Sequence, residues 1–263
     1  MTPLLIAQVS DIHLGADVDL VAESLMTDLV AQGPTVTVVS GDLTMRARSH
    51  QFARARAYLR RLPQPVLVVP GNHDIPLFNV VRRFASPFAR YQRYIAHDLD
   101  PVLEVPGAVL LGLNSMPHWR WKAGHVSERQ AELVRTTLGG APSDALRVIV
   151  THHPVLPREL SGLVGRSGLV AAAADAGVEL LLSGHTHDPQ VARVELRSDA
   201  GARPALSVVA GTAVSERTRG SLNSYHLIEC HPDTIVVHER QWVGDHWAEG
   251  LTVTYERHLG PRP

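Results

Sequence analysis

Val66-Leu67-Val68-Val69-Pro70-Gly71-Asn72-His73-Asp74 decides how the rest of the chain is read. Its apolar, mostly β-branched start has the length and content of a buried strand. The run stops at Pro and Gly and delivers a carboxamide, an imidazole and a carboxylate with no spacer. Average residue usage gives Gly-Asn-His-Asp in roughly one chain per thousand of this length. The same grammar recurs on either side. Residues 4–9 run into Ser10-Asp11-Ile12-His13, 35–40 into Gly41-Asp42, 146–151 into His152-His153-Pro154, and 178–183 into Gly184-His185-Thr186-His187. Ligands of open α/β sheets collect at the carboxyl ends of strands, so five motifs scattered from Asp11 to His187 can converge.

Residues 108–113 read as a further buried strand, and amphipathic segments of helical length lie between several strands. Residues 18–32 carry Leu20, Val21, Leu25, Leu29 and Val30 at helical spacing, closed by Gly33 and Pro34. Ser49 is placed to N-cap a helix running to Arg61, which Pro63 ends. Ser127 and Gln130 have capping-box spacing and open a helix to about Leu138. After Asp188 the pattern changes to strands over 191–196, 206–210, 225–230, 234–242 and 251–255, without helices between them. An alternating βα half followed by a β-rich half predicts two packed sheets with helices on the outer faces. No repeat, low-complexity tract or linker interrupts 1–263. One domain is expected, with the polar motifs inside 9–187 and a β-rich portion over 188–263.

Composition narrows the class. Of 263 residues, 44% are hydrophobic and 19% charged, which excludes disordered and fibrous chains. The formal net charge of −1 gives no overall pull toward nucleic acid. Ten Arg against a single acid, Asp74, lie between Met45 and Ile95; we ascribe this to compositional bias rather than to phosphate binding. Cys230 is the sole cysteine, so no intramolecular disulfide can form, as suits a reducing compartment. No run approaches the ~20 apolar residues of a membrane span, and no basic leader opens the chain. A cytoplasmic location is expected.

The motif residues share one chemistry. Carboxylate, imidazole and amide oxygen without thiolate suit borderline ions such as Mn, Fe, Zn or Co. Two ions about 3.5–4 Å apart can clamp a phosphoryl group and generate hydroxide at neutral pH. Holding them so close needs a bridging carboxylate, for which Asp42 is the candidate. Gly41, Gly71 and Gly184 would permit tight turns and close backbone approach. Taken alone, Asp11 or Asp42 reads as a turn or cap residue, and His-His-Pro as a surface feature. Five such motifs in order, each after a strand-like run, leave those readings almost no weight.

This set, Asp-x-His, Gly-Asp, Gly-Asn-His-Asp, His and Gly-His-x-His, resembles the calcineurin-like metallophosphoesterase superfamily. Thr151-His152-His153-Pro154 and Gly124-His125-Val126-Ser127 make it look most like the bacterial class III cyclic-nucleotide and glycerophosphodiester phosphodiesterases. The resemblance implies a four-layer α/β/β/α sandwich of two mixed sheets flanked by helices. It implies two metal ions, one on Asp11, His13, Asp42 and His187, the other on Asp42, Asn72, His152 and His185. His152 is preferred to His153 because the family places its ligand two residues before the Pro. His73 would give a proton or hydrogen bond to the leaving oxygen, and Asp74 would either orient that imidazole or serve as a turn carboxylate. In-line attack by hydroxide held between the ions needs no covalent intermediate. Cys230 is remote from every motif, and no Gly-x-Ser-x-Gly elbow is present.

The expected substrate is a small phosphate diester of cyclic-nucleotide or glycerophosphodiester type. The alternative is a lipid- or nucleotide-sugar-directed pyrophosphatase or phosphodiesterase with residues 78–94 as a cap, which would add peripheral membrane contact. For that basic, aromatic stretch a core helix with an Arg-rich solvated face is the favoured reading. His118, Trp119 and Trp121 either wall a pocket or pack on the surface. Arg217 and Arg219 follow a strand and either meet a phosphate or lie in a solvent-facing loop, the favoured reading. A nuclease lacks the charge it would need, and a dead scaffold would lack ligands that are all present here.

Overall fold

The strand that opens the chain, β1 (Leu4–Val9), is central because its last four side chains are wholly covered on both faces. In the computed structural model, which describes residues 3–157 and 162–257, it pairs parallel to β2 (Val36–Val39), which pairs parallel to β3 (Val66–Val68). On its other side it pairs antiparallel to β10 (Ser224–Cys230), followed by β11 (Thr234–Val243) and β12 (His246–Glu256). The sheet order is β12-β11-β10-β1-β2-β3. The second sheet runs β4-β5-β6-β7-β9-β8. Its strands are β4 (Val102–Val105), β5 (Ala108–Leu113), β6 (Leu146–Thr151), β7 (Leu180–His187), β8 (Gln190–Ser198) and β9 (Gly201–Gly211). Its centre is parallel and its two edges antiparallel, so both sheets are mixed.

Facing side chains of the two sheets form one aliphatic layer, including Ile6, Val36, Val38 and Leu67 against Leu110, Val148, Val150, Leu180 and Val208. Each buried aliphatic contributes about 1.5–3 kcal/mol. Gln8 reaches across this layer, its Nε2 donating to Ser183 O at 2.8 Å. Helices α1 (Asp19–Gln32) and α2 (Ser49–Leu59) cover the outer face of the first sheet, while α5 (Glu128–Gly139) and α6 (Arg166–Asp175) cover the second. The result is the four-layer α/β/β/α sandwich with two mixed sheets.

Local signals explain most ends. Gly33 takes the left-handed conformation after α1, and its N–H caps Leu29 O. Ser127 and Gln130 form the capping box of α5. Ser49 does not cap α2; it is its first residue, and Gln51 Oε1 accepts from the backbone of Arg46 and Arg48 instead. The basic, aromatic stretch forms two short helices, α3 (Val80–Ala85) and α4 (Ala89–Tyr94). It is not a core helix with an Arg-rich face: Arg83 is inside and Phe78, Val81 and Phe84 are outside. Among the described residues no helix is long and apolar enough to cross a membrane.

Candidate metal centre

At the carboxyl ends of the strands the backbone turns sharply. Asp11, His13, Asp42, His185 and His187 all have φ between 49° and 74°, the left-handed region that non-glycine residues rarely enter. Each such conformation costs on the order of 1–3 kcal/mol and persists only where surroundings over-determine it. Here Asp11 N donates to Gly41 O, His13 N to Asp42 O and Leu14 N to Leu43 O, at 3.1, 2.9 and 2.9 Å, zipping the loops after β1 and β2 together. Close approach fixes two glycines. A Cβ on Gly71 would meet Asp42 Oδ1 at 2.1 Å, and one on Gly184 would meet Ser10 Oγ at 1.9 Å. β7 continues through both histidines of its motif, past the 178–183 expected, with an irregular register against β9 between Ser183 and His187.

The seven side chains assemble as two overlapping groups. Ligand atoms of Asp11, His13, Asp42 and His187 all lie within 4.8 Å of one another. His187 Nε2 stands 3.2 Å from His13 Nε2 and 3.2 Å from Asp11 Oδ1. In the second group, Asn72 Oδ1 is 3.1 Å from both His152 Nε2 and His185 Nδ1. Asp42 joins them, with Oδ2 3.7 Å from His13 Nε2 and Oδ1 3.5 Å from His152 Nε2. All but His185 are buried.

The electrostatics call for cations. Burial pushes the Asp42 carboxyl up, with the charges of Asp11 and Asp74 adding to it. Burial acts the same way on Asp11, but the His187 imidazole 3.2 Å from it and the other surrounding imidazoles hold that carboxyl far below the usual range. Burial pulls His187 down, and its close charge pairing with Asp11 outweighs this and raises it. Burial drives His13 and His152 below the ordinary imidazole range, and burial together with His152 takes His185 to about 3, so these rings are neutral and able to ligate.

Hydrogen bonds on the far side of the rings agree. His152 Nδ1 donates to Ser40 O at 2.9 Å and His187 Nδ1 to Arg217 O, leaving each Nε2 lone pair aimed inward. Among the described residues, buried Asp11 Oδ1 has no partner of hydrogen-bonding geometry. The residues fit divalent ions. His153 is occupied at both nitrogens, by Ser115 Oγ and Lys122 O, each at 2.9 Å, and so stands outside either group.

His73 and Asp74 separate. Asp74 accepts from Gly71 N, Leu43 N, Thr44 N and Thr44 Oγ1 at 2.9–3.1 Å, pinning the loops after β2 and β3 to each other. It does not orient the His73 ring. That is done by Met45 O, 2.8 Å from His73 Nδ1, while Arg217 Nη1 donates to His73 Nε2 at 3.0 Å. Burial, with the charge of Arg217 adding, takes His73 down to about 4. Arg217 therefore belongs to the site, correcting the expectation of a solvent-facing loop, whereas Arg219 is exposed and donates to Thr186 O. No periodicity marks Arg217; the one available signal was a cation a few residues beyond a strand.

Comparison with known proteins bears on the same residues. The chain is 28% identical over 201 residues to a probable cyclic nucleotide phosphodiesterase of Synechococcus sp., covering 70% of this chain and 73% of the relative. The fold superposes with a TM-score of 0.72 on the yellow lupin (Lupinus luteus) purple acid phosphatase PPD1, at 11% identity, over 97% of this chain. The chain spans about half of that enzyme, 54%. The structure of PhoD gives the same TM-score of 0.72 at 10% identity, over 98% of this chain and 70% of PhoD. The calcineurin-like phosphoesterase family profile matches residues 4–189, the span that supplies all seven clustered side chains. With that match over most of its length and a buried Asp/His cluster fitted to metal, the chain belongs to the calcineurin-like phosphoesterase family and is a hydrolase of phosphoric esters.

Proposed function

We propose that the protein is a dinuclear phosphodiesterase acting on small diesters of the cyclic-nucleotide or glycerophosphodiester type. The observation that carries this reading is Asp42, whose two oxygens face different ligand groups. Asp11, His13, Asp42 and His187 would hold one ion, and Asp42, Asn72, His152 and His185 the other. Ions held there would neutralise charge on the phosphoryl oxygens and help deprotonate the attacking water at neutral pH. The chain's own residues do the rest. Arg217 turns its guanidinium from His73 to a non-bridging phosphoryl oxygen, which it can grip with two parallel donors. His73 Nε2 is then free for the leaving oxygen. With Nδ1 anchored on Met45 O and an anion alongside, its protonated form is favoured and gives the proton that the departing alkoxide needs. The name borne by the Synechococcus relative supports the diester class.

The test compares bis(p-nitrophenyl) phosphate with p-nitrophenyl phosphate, in chelator and then with Mn restored, beside Asp42→Ala. Metal-dependent turnover that favours the diester and is lost in the variant is expected. A preference for the monoester would remove the substrate class while keeping the metal site. Two bound metals with no turnover would overturn the catalytic reading.

A further inference from the structure

We infer that the linked segments 76–88 and 117–122 form a docking face for an anionic lipid bilayer. α3 is built inside out. In a helix folded by apolar burial, its valines and phenylalanine would face the core. Instead Arg83 is 1% exposed, while Val81 is 80% and Phe84 57% exposed. The Arg83 guanidinium donates to Pro76 O at 2.9 Å, to His118 O at 2.7 Å and to Arg120 O, and stacks on the Trp121 ring. One buried cation thus ties two segments into a single surface. That surface is apolar: Phe78 is 77%, Trp119 53% and Trp121 52% exposed. Phe84, His118 and Trp119 form a chain of edge-to-face contacts across it.

Charge decides the occupant. From Ile75 to His97 and from Val105 to Ser127 the sequence carries Arg82, Arg83, Arg90, Arg93, Arg120 and Lys122 and no acid. The whole chain balances 25 basic against 26 acidic residues, and its one lysine, Lys122, is here. Exposed Trp and Phe set among Arg and Lys form the signature of a surface that enters the headgroup layer of an anionic membrane. The face also borders the metal centre. Lys122 O is held by His153 beside His152, and Arg46, next to Met45, covers the Phe78 ring. Docking would set the site at the lipid–water boundary whatever diester it cleaves.

The experiment is co-sedimentation of the full chain with vesicles of phosphatidylcholine alone and with vesicles rich in phosphatidylglycerol. Binding to the anionic vesicles alone, weakened by salt, is expected. Each basic side chain near such a surface strengthens binding about fivefold, so Arg82→Gln/Arg120→Gln/Lys122→Gln should weaken it roughly a hundredfold. Phe78→Ser/Val81→Ser should weaken it about tenfold or more. Trp119 and Trp121 report directly, because Trp242 and Trp247 pack against each other elsewhere. A blue shift of emission on binding should vanish in Trp119→Phe/Trp121→Phe while binding remains. Unchanged far-UV circular dichroism shows that each variant is folded. No binding, equal binding to neutral vesicles, or binding untouched by Phe78→Ser/Val81→Ser overturns the inference. So does a dimer that buries this face and binds no vesicles.

Discussion

Arg217 acts at two points through two different groups. Its guanidinium faces His73, and its carbonyl accepts from His187 and from Thr212 Oγ1. Removing the side chain leaves the carbonyl in place. Arg217→Ala should therefore keep full metal content by elemental analysis while kcat/KM for a diester falls by about 10²–10³, the usual cost of losing a preorganised charge at the phosphoryl group. Arg217→Lys should recover part of that loss, since a point charge remains but the fork is gone. Steady-state kinetics beside metal analysis decides; metal loss in Arg217→Ala would show that the side chain holds the loop rather than the substrate. The contrast with the seven clustered residues shows what a sequence can disclose at this scale. Asp11, Asp42, Asn72 and His185 each follow a strand-like run within a few positions, so chemistry and placement are written together. Met45 enters the site by its carbonyl and Arg217 by carbonyl and guanidinium from an aperiodic loop, and a backbone acceptor leaves no mark in residue type.

At the scale of elements, α3 is the place where pattern misleads. Val80, Val81 and Phe84 invite burial, yet three carbonyls from two segments hold the interior position for Arg83. Arg83→Met should cost about 2–4 kcal/mol, because it leaves buried carbonyls without a charged donor. Val81→Ser, at an exposed position, should stay within about 0.5 kcal/mol. Urea unfolding of the two variants beside the parent measures both; similar small losses would mean that water satisfies those carbonyls. Elsewhere the elements were legible where one rule acted alone. Gly33 and Ser127 end and start helices by local hydrogen bonds, and the buried strands read as unbroken apolar runs. β7 was read short because its last residues are ligand-like polar side chains, which no strand propensity favours. Its extension comes from the neighbouring β9, 20-odd residues on, and so from tertiary pairing.

For the whole molecule, packing two sheets face to face buries titratable groups as well as aliphatic ones. His226, on β10, is 1% exposed, and its Nδ1 has no hydrogen-bond partner among the described residues. Burial lowers it from 6.5 to about 4, so the folded state holds the neutral ring. Unfolded, the same ring takes up its proton near 6.5. Its contribution to stability is then complete above the unfolded value and drains away as pH falls toward the folded one. That difference is worth roughly 3 kcal/mol between neutral pH and pH 4. His13, His152 and His185 are lowered in the same way, so the total acid sensitivity belongs to several groups and only a difference isolates one. Chelator-stripped parent and His226→Leu, unfolded in urea at a series of pH values, supply that difference. The variant should gain stability relative to the parent as pH falls, its slope smaller by the uptake of one proton between pH 6.5 and 4. Parallel curves would mean that His226 takes up its proton in the folded chain as it does unfolded, and that water or a shifted neighbour reaches a ring which the two sheets otherwise seal.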